Sequence, residues 1–205
     1  MPVAMLCQVP VVADADKGTF NTSAEQIEAV LTPHTRAIVV AHIAGEPVDM
    51  DPILELASAR GIPVVEDCAQ AHGASYKGRP AGTLGDIAAF STMSGKHHAT
   101  GPQGGVVFSR DRELLWEAKR FADRGKPFNV ESSTNIRAGL NLNGNDLAAT
   151  VGRVQLERLP EMIRRRRTVA RQIREAIGGL RAVRTGREAG GHGGVYWFMR
   201  FFVDV

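Results

Sequence analysis

The stretch from Arg36-Ala-Ile-Val-Val-Ala-His42 to Ile62-Pro-Val-Val-Glu-Asp67 decides the fold. Its first run is continuously apolar between polar ends, the composition of a strand buried on both faces of a parallel sheet. Asp49 or Asp51 can open a helix whose apolar positions Ile53, Leu54 and Ala57 lead to Gly61 at its end. The second run is another short buried strand, closing on Glu66-Asp67. Residues 36–67 therefore spell a β-α-β unit of ordinary length and an α/β fold, a mainly parallel sheet flanked by helices.

Working outward, the pattern continues. Upstream, Val9–Ala13 reads as a short strand. Ser23 and Gln26 have capping-box spacing for a helix carrying Ile27, Val30 and Leu31. Downstream, Tyr76–Arg79 is a turn, and Ile87–Ser91 and Gly104–Phe108 read as strands. The loop Thr92–Gln103 between those strands holds Lys96, His97 and His98. A helix is expected over Asp111–Arg124, then a long Asn- and Gly-rich loop over 125–144. A second long helix runs from Asn145 to Ile177, with Pro160 expected to bend or interrupt it and Gly178-Gly179 to stop it. Val195–Val205 has strong β character. The chain stops inside that run, and one short strand precedes its first helix, so both ends are expected to be truncated. No internal repeat is visible.

Composition narrows the class. Apolar residues make up 43% and charged residues 23% of 205, ordinary for a globular chain. No segment approaches the roughly 20 apolar residues that cross a membrane, and the amino-terminal residues lack the basic start of a secretory signal. A cytoplasmic protein is the expectation. Two cysteines, Cys7 and Cys68, form neither a disulfide framework nor a zinc spacing. A net charge of +3 is too mild to argue for nucleic acid.

Ligands of α/β sheets sit at the carboxyl ends of strands. Three chemical groups fall there: Asp67 closes one strand, Ser91 closes another, and Lys96 lies in the loop that follows. A lysine beside a carboxylate and a hydroxyl is a candidate for covalent amine chemistry.

The residues also carry a resemblance. Val65-Glu-Asp-Cys-Ala-Gln-Ala-His-Gly73, then Gly85-Asp-Ile-Ala-Ala-Phe-Ser91, then Ser94-Gly-Lys96, then Gly101-Pro-Gln-Gly-Gly105 resemble, in order and spacing, the DegT/DnrJ/StrS family of aminotransferases dependent on pyridoxal 5'-phosphate (PLP). Asp67 to Ser91 is 24 residues and Ser91 to Lys96 is 5, spacings like the family's. The similarity runs from about Val9 to about Leu180. It implies part of a type I PLP-dependent transferase (aspartate aminotransferase-like), with residues 1–144 a partial large cofactor-binding domain. Residues 145–205 would then be a linking helix and the start of a small α+β domain.

The resemblance further implies an enzyme of amino-sugar or secondary-metabolite biosynthesis. It would move an amino group from glutamate or glutamine to a keto-sugar or cyclitol-like ketone. Lys96 would hold the cofactor aldehyde as a Schiff base and, once free, shuttle a proton. Asp67 would pair with the pyridine nitrogen and keep it protonated. Gln70 would lie against the ring hydroxyl, and Ser91 would bond the phosphate. Within Gly139-Leu-Asn-Leu-Asn143, Asn141 matches a residue that reaches the phosphate held by the other subunit, so a homodimer is implied. The family's dehydratases have His in place of the lysine, and Lys96 argues against that chemistry.

There are departures. Asn143 stands where a basic residue is usual, Gln103 where an acid is usual, and His97-His98 where Asn and an apolar residue are common. The Gly-Thr phosphate loop and the aromatic that stacks on the ring are not found ahead of Val9, and a phosphate cup relies on such a helix start. The alternative reading is therefore a catalytically incompetent remnant or binding module of the same fold. Adjacent histidines on extended chain point apart, and no metal is expected. Arg164–Arg167 spread around a helix near Glu157, Glu161 and Glu175, a solvated face with no interleaved aromatics for nucleic acid.

Overall fold

The computed structural model describes residues 2–186 and 193–204, and Val205 of the carboxy-terminal run lies outside them. Helix α1 spans Pro2–Met5 and α2 Ala24–Glu28. Strand β1 spans Ile38–Ala41, helix α3 Met50–Ala59 and strand β2 Val64–Asp67. Strands β3 (Ser75–Tyr76) and β4 (Arg79–Pro80) form a two-stranded hairpin, and β5 (Ile87–Ser91) and β6 (Gly105–Phe108) follow. Helix α4 is Arg112–Ala122, α5 is Asp146–Ile177, and β7 (Val183–Thr185) pairs with β8 (Phe201–Val203). The main sheet has the order β1-β2-β5-β6, with β1, β2 and β5 parallel and β6 antiparallel to β5.

The β-α-β unit stands as expected, with Ile38 opposite Val64 and Ala41 opposite Asp67. Its helix lies against one sheet face. Ile53, Ala57 and Met50 of α3 and Ile27 of α2 pack with Ile38, Val40 and Val64. Each such side chain contributes roughly 1.5–3 kcal/mol by leaving water. The capping box also forms: the Ser23 hydroxyl accepts from the Gln26 N–H at 3.5 Å. The turn in the β3–β4 hairpin uses left-handed backbone at Lys77 (φ 46°) and Gly78 (φ 78°). Tyr76, wholly buried, donates from its hydroxyl to Asp49 and accepts from the Asp51 N–H, tying the hairpin to the start of α3.

Four expectations need correction. Val9–Ala13 is not a strand: it pairs with none of the described residues in a sheet, and Val9 is 85% exposed. The strands are not buried on both faces. Side chains alternate, and in β1 Val40 is buried while Val39 is 55% exposed. The sheet thus has a covered face and an open one. Pro160 does not interrupt α5, which runs unbroken for 32 residues, its missing N–H lying on an exposed side. Among its described residues the carboxy-terminal run forms a strand only over Phe201–Val203, because Val195 and Trp197 bond instead to Gly45 and Ala44 in the turn after β1.

Candidate active site

Register places the site. Asp67 lies opposite Ala89, and Ser91 is two residues beyond Ala89, so Asp67 and Ser91 project from the same, open face at the carboxyl ends of β2 and β5. Glu66, one residue earlier, points into the covered face and is fully buried. Its carboxylate accepts from the N–H groups of Gly82, Leu84 and Gly85, each at 2.7 Å, and faces His42 Nε2 at 3.0 Å. The Val48 N–H donates to His42 Nδ1 at 3.1 Å, so the ring proton is on Nε2 and the imidazole donates to Glu66. Burial pushes the Glu66 carboxyl up, but the bonds from His42, Gly85 and Gly82 outweigh it and hold it below the ordinary range.

From the sequence, Glu66 is no more than a strand end. The signal available was its parity: it shares a strand face with Val64, not with Asp67. His42, Glu66 and Cys68 bring ligand atoms within 4.8 Å of one another. The first two are committed to each other and to backbone, and burial with the nearby Glu66 and Asp67 charges pushes the Cys68 thiol well up. The triad reads as scaffold.

The Asp67 carboxylate is exposed and accepts from the Ala69 N–H at 2.9 Å. It lines a small recess of about 40 Å³ with Ala41, His42, Ile43, Ala69 and Gln70. The Gln70 side-chain oxygen accepts from the Ala44 N–H at 2.7 Å, holding the turn after β1, where Ala44 and Gly45 have φ of 63° and 79°. Ser91 Oγ accepts from the Met93 N–H at 3.4 Å. Asn141 is bonded elsewhere: it is bridged to Asp123, and its side-chain oxygen accepts from Asn143 at 2.9 Å. Asn143 also donates to Asp123, so the residue at the family's basic position here orients Asn141.

Lys96 is half-buried, and its ammonium stands 4.5 Å from the centroid of the Trp197 ring. The loop bearing it is pinned twice: His98 Nε2 donates to the Gly152 carbonyl of α5 at 2.9 Å, and the Trp197 indole N–H donates to the Gly95 carbonyl at 3.2 Å. Beneath it lie His72 and His97, 5% and 2% exposed. Among the described residues neither ring has a hydrogen-bond partner within bonding geometry for either nitrogen, though the Ser91 backbone lies beside His72. Burial, then the charges of His98 and Lys96, pull His72 down to about 4. Burial, then Arg166, His72 and Lys96, do the same to His97. Both rings are neutral near pH 7.

The arginine run divides. Arg164 and Arg165 are exposed and pair with Glu161, the solvated role expected of them. Arg166 and Arg167 instead donate to the carbonyls of Tyr196, Trp197, Gly194 and Gly193, strapping the carboxy-terminal segment to α5. Neither this strap nor the role of Trp197 is visible in the sequence. An aromatic in a β-rich run gives no local sign that it will meet a lysine a hundred residues away.

The profile of the DegT/DnrJ/EryC1/StrS aminotransferase family matches residues 1–203. GDP-perosamine synthase of Escherichia coli O157:H7 is 36% identical over 171 residues, 83% of this chain and 46% of that protein. The L-glutamine:2-deoxy-scyllo-inosose aminotransferase of Streptomyces fradiae is 36% identical over 181 residues, 84% and 42% of the two chains. The X-ray structure of an aminotransferase from Psychrobacter cryohalolentis superposes with a TM-score of 0.88 at 34% identity, covering 95% of this chain and 54% of that one. The chain spans about half the length of the curated relatives it matches.

Proposed function

The chain belongs to the DegT/DnrJ/EryC1/StrS aminotransferase family, and from that premise we propose that Lys96 is the cofactor-bearing lysine of a PLP-dependent aminotransferase acting on a keto-sugar or cyclitol-like ketone. The observation that supports this reading is that Asp67 and Ser91 project from the open face at the carboxyl ends of β2 and β5, with the loop that bears Lys96 following Ser91. The residues fit the cofactor. Among the described residues the Asp67 carboxylate accepts from one backbone N–H, the Ser91 hydroxyl ends the next strand, and two buried imidazoles lie near the Lys96 amine.

When bound, PLP supplies an electron-withdrawing ring in conjugation with the amine being transferred. Asp67 would sit against the ring nitrogen and hold its proton by charge. Ser91 Oγ would donate to the phosphate, and the Gln70 amide N–H groups, whose oxygen is already used by Ala44, would face the ring hydroxyl. The Lys96 amine would attach the cofactor through its aldehyde carbon and, when released, take and return the proton at the reacting carbon. The neutral His72 and His97 would keep that floor dry and uncharged.

The donor would be an amino acid, glutamate or glutamine; the Streptomyces relative's name gives L-glutamine for that protein. Residues 1–144 would be part of the large domain, and 145–205 the linking helix and beginning of the small one. The protein would work as a homodimer, with Asn141 reaching the phosphate held by a second copy. The exposed stripe Leu147, Val151 and Val154 on α5 supports an apolar partner surface, since residues at such spacing share a helix face. Among the described residues no helix is long and apolar enough to cross a membrane. The enzyme would work in the cytoplasm.

The test is direct. The full chain is mixed with PLP, reduced with borohydride and mapped by mass spectrometry. A pyridoxyl adduct on Lys96, with loss of visible absorbance in Lys96→Ala, is expected. A colourless protein at saturating PLP, or an adduct confined to other lysines, overturns the reading.

A further inference from the structure

We propose that Trp197 is a positioning residue for Lys96, its indole face seating the lysine ammonium whenever that amine carries no covalent bond. This rests on the reading of Lys96 as the reactive amine. The contact is built and fixed from several sides. The Trp197 N–H donates to the Ala44 carbonyl at 2.8 Å, and the Val195 N–H donates to the Gly45 carbonyl at 2.9 Å. Arg166 donates to the Trp197 carbonyl at 3.2 Å from the other side. The indole N–H then donates to the Gly95 carbonyl, one residue before the lysine. The ring is thereby aimed by backbone and guanidinium bonds that do not involve Lys96.

What remains for the ring face is a cation, and the Lys96 ammonium fills that place at 4.5 Å from the centroid. Among the described residues the ammonium makes no ion pair, so the π face is the group that orients it. An amine that must leave the cofactor, carry a proton and return needs a resting place facing the site. A flexible four-carbon side chain released into solvent would lose that orientation. A quadrupole supplies it without a counter-charge that would compete with Asp67 for the ring nitrogen.

The experiment uses the cofactor-free full chain and needs no turnover. Modification of each lysine by trinitrobenzenesulfonate is timed by mass spectrometry, with exposed Lys17 as internal reference. Trp197→Leu is expected to speed Lys96 modification roughly two- to fivefold relative to Lys17, the scale of an exposed cation–π contact. Trp197→Phe keeps a ring but loses the indole N–H, and is expected to stay close to wild type. An unchanged rate in the Leu variant overturns the proposal. So does a Phe variant as fast as Leu, which would assign the effect to the bond with Gly95. Because Trp197→Leu can loosen the carboxy-terminal segment, Lys96→Met is also compared with its parent in a Trp116→Phe background. There Trp197 is the single tryptophan, and its emission is expected to change on loss of the cation. An identical spectrum overturns the contact. If PLP instead attaches elsewhere, the reading of Lys96 as the reactive amine fails while these rates and spectra still report on the contact.

Discussion

His42 and Glu66 form a closed unit inside the protein: a neutral imidazole donates to a carboxylate at 3.0 Å, and neither side chain reaches solvent. The carboxylate gathers three more N–H donors from residues 82–85, so one buried charge fixes β1, β2 and the loop leading into β5. Glu66→Gln replaces one accepting oxygen with an amide that confronts N–H groups. A loss of about 3 kcal/mol is expected, as for breaking other buried pairs. Urea denaturation measures it, and a loss below about 1 kcal/mol would refute the scaffold role.

Acid should weaken the fold before it protonates most carboxylates. His72 and His97 titrate near 4 in the folded chain but at 6.5 when exposed. Between pH 6.5 and 4 the unfolded chain therefore binds protons that the folded chain does not, and stability falls as pH falls through that window. The drop is on the order of 3 kcal/mol for each ring. Glu66, held below its ordinary 4.5, adds a further loss at lower pH. Melting temperatures of wild type and His97→Phe across pH 7 to 4 check this, the variant showing the shallower slope.

Gly45→Ala should be costly out of proportion to one methyl group. The residue has φ +79°, and a Cβ there would meet the Gln70 carbonyl and Val195 Cγ2, each at 2.8 Å. Strain and displacement together cost about 2 kcal/mol. The same change should release the segment that carries Trp197, seen as faster amide exchange at Val195 and Trp197.

Pro160→Ala is expected to stabilise the protein by about 1–3 kcal/mol. Pro160 is exposed within an unbroken helix, so alanine restores a backbone N–H and better helix propensity without removing a packed side chain. Thermal denaturation decides the sign, and a lower midpoint would mean that the proline shapes α5 for a neighbour.

The β-α-β core was legible because its strands are short apolar runs and its helix carries one apolar stripe, signals set within a few residues. The carboxyl-edge placement of Asp67, Ser91 and Lys96 followed from strand ends alone. The buried role of Glu66 is written in side-chain parity, since it alternates with Asp67, and not in the strand end that the two share. Val9–Ala13 has strand composition, but a strand needs a neighbour, and none of the described residues pairs with it. The Lys96–Trp197 contact spans a hundred residues and depends on the strap from Arg166 and Arg167, which consecutive arginines do not announce.

The two neighbouring carboxylates of β2 also limit how this protein can change length. Glu66 belongs inside and Asp67 outside only while the strand keeps its count. Deleting Val65 would exchange them, driving Asp67 among the N–H donors of 82–85 and turning Glu66 toward the ligand side, and an insertion there would likewise turn Glu66 out and leave those donors without a carboxylate. Lineages and designers alike should find indels forbidden in β2, while the exposed loop over 129–137, which carries no such parity, accepts them.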